Sequence, residues 1–214
     1  MIINTNPGSS ATKLLSFFVL FVASATVLSQ EQDQKKMFIE PKVGIAIANL
    51  IGSETAYFDQ RGIDYSSKTA VAFGIDLRRQ VGDKLYLKSG INFSKLGTKF
   101  GDNLSKFEAS FFRVPAILGV SNKNNTFSFE SGVSYNLLNS VTILGPRGIT
   151  KTTTWSLLLG IVIRQQLKNK DWIWVSPRFF TDLSDYYATE NANGISTGRS
   201  LSFRGLELTI GLSI

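Results

Sequence analysis

The side chains that could carry chemistry are few, because the 214-residue sequence contains no cysteine and no histidine. Thiol nucleophiles, imidazole bases, disulfides and the usual zinc ligands are therefore absent. Carboxylates remain, and two pairs share predicted loops: Glu54 with Asp59, and Asp182 with Asp185. Such pairs could support hydrolysis or hold Ca²⁺. Because their spacing matches no known calcium loop, we interpret them as solvated loop charges and predict no enzyme activity, no metal and no cofactor.

The remaining charges do not form a nucleic-acid surface. The chain carries 23 Lys and Arg against 16 Asp and Glu, a formal net charge of +7. The bases are spread along the chain without a nucleic-acid-binding motif, so we predict no nucleic-acid partner. Ten charges fall instead on the polar side of alternating segments: Glu40, Lys42, Asp76, Arg78, Lys88, Arg113, Glu130, Arg164, Arg178 and Glu207.

The elements that must position these charges are strands. From Met37 onward the sequence contains eight segments in which apolar residues alternate with small or polar ones. The clearest is 205–214, with Leu or Ile at every even position and Gly, Glu, Thr or Ser at every odd position. A helix would mix these two faces, whereas a strand separates them. The segments are long enough to cross a membrane as tilted strands.

The connections between these segments alternate in length. They are tight after the second, fourth and sixth segments, at 81–84, 121–125 and 167–170. They are longer after the first, third, fifth and seventh, at 52–68, 98–106, 141–151 and 182–199. An outer-membrane barrel has short periplasmic turns and longer outer loops. We therefore predict an all-β fold, an eight-stranded antiparallel up-and-down transmembrane β-barrel.

The charged faces also carry many small residues, which indicates a confined interior. Eight strands leave a lumen just wide enough for side chains to fill. Buried charges in such a space must be paired and hydrogen-bonded. The ten charges therefore predict a lumen closed by an ionic network.

The N-terminal region is typical of an export signal. Lys13 precedes the uncharged apolar stretch 14–28, which is shorter than the ~20 residues of a membrane-spanning helix. We predict a signal peptide at 1–29, cleaved near Ser29, a polar segment at 30–36 and the barrel domain at 37–214. The expected location is the bacterial outer membrane.

Four strand sequences resemble the outer-membrane β-barrel family of Bacteroidetes that is called porin-family or PorT-like. They are Pro-Lys-Val-Gly-Ile-Ala-Ile-Ala-Asn-Leu at 41–50, Gly-Ile-Asn-Phe-Ser-Lys-Leu-Gly at 90–97, Arg-Val-Pro-Ala-Ile-Leu at 113–118 and Glu-Leu-Thr-Ile-Gly-Leu-Ser-Ile at 207–214. The resemblance implies a small outer-membrane barrel. The chain departs from the family by ending in Ile214, where an aromatic residue is usual.

Three hypotheses about function remain open at the level of sequence. The first is a monomeric structural or interaction protein, whose outer loops offer an extracellular protein or ligand a mixture of aromatic and Arg side chains: Tyr57, Phe58, Arg61, Tyr65, Tyr186, Tyr187 and Arg199. Outer-membrane lipid and lipopolysaccharide phosphates would meet bases at the same end: Lys95, Lys99, Lys106, Arg147, Lys151 and Arg204. The alternatives are a narrow porin-like channel and a soluble periplasmic lipocalin-like barrel.

Overall fold

Strands make up almost all of the part of the chain that the structure describes. This computed structural model describes residues 2–3, 37–53, 55, 60, 62, 65–100, 105–143, 148–150, 152–167, 171–185, 187–190 and 196–214. Within these ranges, no helix is long and apolar enough to cross a membrane.

Eight long strands form the wall of a closed barrel. They are β1 Met37–Ile51, β2 Tyr65–Gln80, β3 Leu85–Phe100, β4 Ser105–Ser121, β5 Phe127–Ile143, β6 Thr153–Gln166, β7 Trp172–Asp182 and β8 Ser196–Ser213. Each strand pairs antiparallel with the next along the chain, and β8 closes the barrel on β1. The predicted fold class is confirmed.

The strands are staggered as they go round the barrel. Following paired residues from Gln80 through each strand in turn leads back to β2 at Ala70, ten residues away in the same strand. A closed barrel requires such a stagger, because its strands tilt relative to the barrel axis.

The two ends of the barrel differ. One end carries Met37, Ile214 and the three short turns after β2, β4 and β6, and we call it the turn end. The opposite end, the loop end, carries further short strands at Gly148–Thr150 and Tyr187–Glu190, which pair with each other, and the second also pairs with β8. Ile2–Ile3 pairs with the β5 residues Val141 and Thr142 at this end.

The strands extend further into the predicted loops than the sequence indicated. Only 101–104 separates β3 from β4, so this connection is as short as the turns and the predicted alternation of connection lengths is wrong there. Strand β8 likewise begins at Ser196 within the predicted fourth loop. Strands paired on both sides continue past the apolar belt, because their backbone hydrogen bonds do not require apolar side chains.

Apolar side chains face outward and polar ones inward along most of the wall. In β8 the even positions Leu206 to Leu212 are 41–62 % exposed, whereas Glu207, Thr209 and Ser213 are buried. Large exposed apolar residues recur round the barrel, for example Ile45, Phe73, Leu118 and Phe129. This outer face is the reverse of a soluble protein, and it is what a lipid-facing barrel wall presents.

Candidate functional site in the barrel lumen

All ten predicted lumen charges are buried inside the barrel. Each is at most 8 % exposed, and each lies on the inward side of its strand. The structure brings eight of them into one connected ionic network, and Lys42 forms a separate pair with Asp76 at 2.7 Å between Nζ and Oδ2. These ten charges lie in the middle of the lumen and in the part of it nearer the turn end.

Glu130 on β5 is the centre of this network. Its Oε1 accepts a hydrogen bond from the Tyr86 hydroxyl at 2.8 Å and contacts the Lys88 ammonium. Its Oε2 accepts a hydrogen bond from Arg178 Nη2 at 2.9 Å. Arg164 Nη2 lies 3.9 Å from Oε1. Three cations therefore surround one carboxylate, so its negative charge offsets like-charge repulsion among the bases.

Two further carboxylates connect the other bases. Glu40 Oε1 lies 2.8 Å from Arg78 Nε, and Glu40 Oε2 lies 3.6 Å from Lys88 Nζ. Glu207 lies between Arg178, at 3.8 Å, and Arg113, at 3.6 Å. The network thus extends from Arg78 on β2 to Arg113 on β4 through carboxylates that each contact two or more bases. Every base of the network has a carboxylate oxygen within 4 Å.

Glycines make room for the large members of this network. One row of paired residues reads Tyr86, Gly119, Glu130, Gly160, Arg178, so a glycine separates successive large side chains. A Cβ atom on Gly119 would lie 2.0 Å from the Tyr86 ring. A second row reads Trp174, Gly211, Lys42, Gly74, and a Cβ on Gly211 would lie 2.4 Å from the Trp174 ring. The narrow lumen therefore has room for these large side chains only where the paired residue is a glycine, which has no side chain of its own.

An apolar tier fills the lumen toward the loop end. Its largest members are Phe111, Phe180 and Phe203, all at most 2 % exposed. The rings of Phe111 and Phe203 meet edge to face, with centroids 6.2 Å apart, and Phe180 lies 4.6 Å from the Arg113 guanidinium. Five leucines belong to the same cluster: Leu50, Leu96, Leu138, Leu158 and Leu201.

Sequence reasoning missed this tier. Phe203 was not among the predicted lumen residues, but its side chain faces the lumen and is fully buried. The signal was available, because Phe203 is odd-numbered and the odd positions of β8 were already assigned to the inner face. The ten charges predicted a lumen filled by an ionic network, whereas in the structure the lumen contains an ionic tier and an apolar tier.

Asp182 is also buried, at the loop end of β7. Its Oδ1 accepts a hydrogen bond from the Ser156 hydroxyl at 2.6 Å, and its Oδ2 accepts one from the Phe203 backbone N–H at 2.9 Å. The interpretation of Asp182 as a solvated loop charge is wrong, because β7 runs as far as this residue. Asp185 lies beyond the strand and is half-buried, and Glu54 and Asp59 lie outside the described residues.

A separate ionic cluster lies on the outer wall at the loop end, and we call it the rim cluster. Glu108 contacts the Lys68 ammonium and forms a salt bridge with Lys95, with 2.8 Å between Glu108 Oε2 and Lys95 Nζ. Hydrogen bonds from these two lysines lower the pKa of Glu108 to about 2. Sequence reasoning had assigned Lys95 to this end but had not named Glu108 or Lys68.

The structure says less about the predicted loop residues. Tyr57, Phe58, Arg61 and Tyr186 lie outside the described residues, as do Arg147 and Lys151. Tyr65, Tyr187, Arg199 and Lys106 lie in strands whose side chains at these positions are not described. Lys95, Lys99 and Arg204 are exposed at the loop end. Among the described residues, no three Asp, Glu, His or Cys side chains come together as a metal site.

Comparison with solved structures identifies the architecture. The outer-membrane protein OprG of Pseudomonas aeruginosa is 12 % identical, with a TM-score of 0.53 over 84 % of this chain and 95 % of that one. The fold is that of an outer-membrane β-barrel. Neisserial surface protein A is 11 % identical, with a TM-score of 0.49 over 85 % of this chain and 99 % of its own.

At these identities the similarity concerns the fold alone. No protein-family model matches the chain, and no curated protein matches its sequence. The comparisons therefore do not support the narrower resemblance to PorT-like proteins of Bacteroidetes, and they assign no ligand or partner.

Proposed function

We propose that the chain is a closed outer-membrane barrel that acts as a structural and interaction protein through its loop end. One observation carries this proposal: the barrel is inside out relative to a soluble protein, with its large apolar side chains outside and its charges buried inside. The apolar belt supports insertion into a bilayer. The two tiers of the lumen support closure.

A soluble lipocalin-like barrel does not fit this arrangement. Such a barrel would hold its apolar faces around an internal ligand, whereas here Ile45, Phe73 and Leu208 are 44–50 % exposed on the outer face. The structure therefore contradicts the lipocalin-like hypothesis. A narrow channel would require an open path past Glu130 and past the apolar tier, and both are packed with side chains.

The loop end is the region we propose for partner contact. Among the described residues, the connections at the turn end are short turns, whereas strands β4, β5 and β8 extend beyond the apolar belt at the loop end, and two short strands add to them. Exposed bases at this end, Lys95, Lys99 and Arg204, suit the phosphates of lipopolysaccharide. We also propose export by a cleaved signal peptide, a monomeric state, no enzymatic activity and the PorT-like relationship that the strand sequences suggest.

Cell fractionation tests the proposal. We expect the protein in the outer-membrane fraction, extractable only with detergent, and with a gel mobility that changes on boiling because closed barrels resist unfolding in detergent. Recovery from the periplasm without detergent would contradict membrane insertion. Mass spectrometry of the recovered chain would show whether it begins near Gln30, as the predicted cleavage requires.

A further inference from the structure

The charges that face the lumen do not balance among the described residues. Six bases are buried there: Lys42, Arg78, Lys88, Arg113, Arg164 and Arg178. Five acids are buried with them: Glu40, Asp76, Glu130, Asp182 and Glu207. With all of these groups ionised, the described part of the lumen has one positive charge in excess. An uncompensated charge in a water-poor interior is costly, so a further negative charge would stabilise the barrel.

Unpartnered hydrogen-bond donors indicate where such a charge would bind. Among the described residues, Trp174 Nε1, Ser176 Oγ and Arg178 Nε are buried without a hydrogen-bond partner. The three residues occupy successive inward positions of β7, and each is at most 4 % exposed. The two nitrogens can only donate, and the hydroxyl can donate or accept. One stretch of β7 therefore directs three donors into the lumen.

Short side chains lie next to these donors. Ser176 is paired with Thr209 on β8, which is paired in turn with Gly44 on β1. In the next row toward the turn end, Trp174 is paired with Gly211. A Cβ on Gly211 would lie 2.7 Å from Trp174 Cε2, the ring atom bonded to Nε1, so the donor side of the indole lies over this glycine. Because long side chains fill the rest of the ionic tier, a ligand beside β7 must be small.

The surroundings of the donors are cationic. Lys88 Nζ lies 5.4 Å from the centre of the Trp174 ring. Lys88 and Arg178 have the same nearest carboxylate, that of Glu130, so they share one counter-charge. A water molecule could accept hydrogen bonds here, but it would leave the excess positive charge in place. A monovalent anion would accept the hydrogen bonds and also balance the charge.

We propose that the lumen binds a small monovalent anion of the halide class, such as chloride, with Trp174 Nε1, Ser176 Oγ and Arg178 Nε as its donors. A halide accepts hydrogen bonds and donates none, and its single charge equals the excess of bases. The anion is a structural ligand that stabilises the ionic tier. The site lies inside the barrel, so its occupancy does not depend on a partner at the loop end.

Unfolding at graded chloride concentrations tests the proposal. The protein is refolded into phosphatidylcholine vesicles and unfolded with urea, while potassium gluconate, whose anion is much larger, replaces potassium chloride at constant ionic strength. Only the folded barrel holds the site, so chloride at ten times its Kd should lower the equilibrium constant for unfolding about elevenfold. An equilibrium constant that does not change with chloride would overturn the anion site.

Two variants and one control locate the site. Ser176→Ala and Trp174→Phe each remove one donor and should weaken chloride binding about tenfold, the factor that one hydrogen bond to a charged group provides. Ser134→Ala is the matched control, because Ser134 is equally buried but its hydroxyl already donates to Asn136 at 2.8 Å. It should leave the chloride dependence unchanged. The same chloride dependence in wild type and in both donor variants would overturn the assignment to β7.

Crystals of the wild-type protein grown in bromide provide a measurement that needs no variant. Bromide replaces chloride at halide sites and is located by its anomalous scattering. We expect a peak inside the barrel within hydrogen-bond distance of Trp174 Nε1 and Ser176 Oγ. Bromide found only at surface lysines would overturn the proposal.

Discussion

At the scale of single residues, Glu130 is the side chain on which most of the ionic tier depends. It contacts Lys88, Arg178 and Tyr86 directly, and Arg164 lies 3.9 Å away. Buried charges are tolerated when they are mutually paired, and removal of one partner leaves the others uncompensated. A carboxylate shared by three cations therefore has a larger effect on stability than one in an isolated surface pair.

Replacement of Glu130 by Gln should accordingly destabilise the barrel. We expect the free energy of unfolding to fall by about 3–5 kcal/mol, because Lys88 and Arg178 lose their shared counter-charge in a water-poor lumen. Urea unfolding from lipid vesicles, followed by tryptophan fluorescence, measures this change.

Glu108→Gln is the matched control for that substitution. It removes the same charge from the rim cluster, whose two lysines are both partly exposed and can turn toward solvent, so the loss should be smaller than for Glu130→Gln. If the two variants lost equal stability, Glu130 would not hold the lumen together as described.

The rim cluster makes a separate prediction about pH. Hydrogen bonds from Lys68 and Lys95 lower the pKa of Glu108 from 4.5 to about 2. Because the folded pKa is lowered, the stabilisation is fully present above the unfolded value and is lost as the pH falls from about 4.5 to about 2. Carbon-detected NMR of the Glu108 carboxyl should show its titration near pH 2. Titration at 4 or above would mean that the two lysines do not hold this carboxylate.

At the scale of elements, glycines alternate with large side chains along rows of paired residues that cross neighbouring strands. This alternation determines which side chains fit in the lumen. Gly119 lies under the Tyr86 ring, and Gly211 lies under the Trp174 ring. A larger residue at either position would push an aromatic ring into its neighbours. The glycines of these strands therefore serve packing, since the positive backbone φ angles of the described glycines occur only at Gly52 and Gly62.

Gly119→Ala tests this role. Its Cβ would overlap the Tyr86 ring, so the ring must move and loosen its hydrogen bond to Glu130. We expect a loss of about 1–3 kcal/mol in urea unfolding, the usual cost of overpacking. The control is Gly82→Ala in the turn after β2, where the nearest atom to the new Cβ is 3.8 Å away. Similar stabilities for both variants would contradict the packing role.

The strands and their faces could be predicted from sequence, because the side chains of a strand alternate strictly between two environments. That alternation is sufficient to assign Glu207 and Arg178 to the lumen. It does not show that Arg178 reaches Glu130 across Gly160, since that contact depends on the register of two neighbouring strand pairs. Glu108 was missed for the same reason, because its lysines come from β2 and β3.

The lengths of the loops were predicted less well. Thr98 and Lys99 have polar side chains and were assigned to a loop, although they belong to β3. The alternation of apolar and polar residues indicates where side chains contact lipid. The strand itself continues wherever its backbone forms hydrogen bonds with a neighbouring strand. Long strands with short apolar belts are therefore predicted as short strands with long loops.

At the scale of the whole molecule, the barrel combines an outer wall suited to lipid with a lumen that holds an ionic tier and an apolar tier. We propose that the ionic tier blocks the lumen toward the turn end and that the apolar tier blocks it toward the loop end. These blocks depend on different interactions, so weakening one by substitution should leave the other in place. Partner contact is consequently expected at the surface of the barrel, and we propose the loop end for it.

Single-channel recording in planar lipid bilayers tests the closed barrel most directly. Protein whose gel mobility shows that it is folded would be inserted and held at a series of voltages. We predict no current steps above the bare-membrane background, because Glu130 and its cations fill one tier and Phe111, Phe180 and Phe203 fill the other. Stable steps with a conductance proportional to salt concentration would contradict the account, since they require a water-filled path through both tiers.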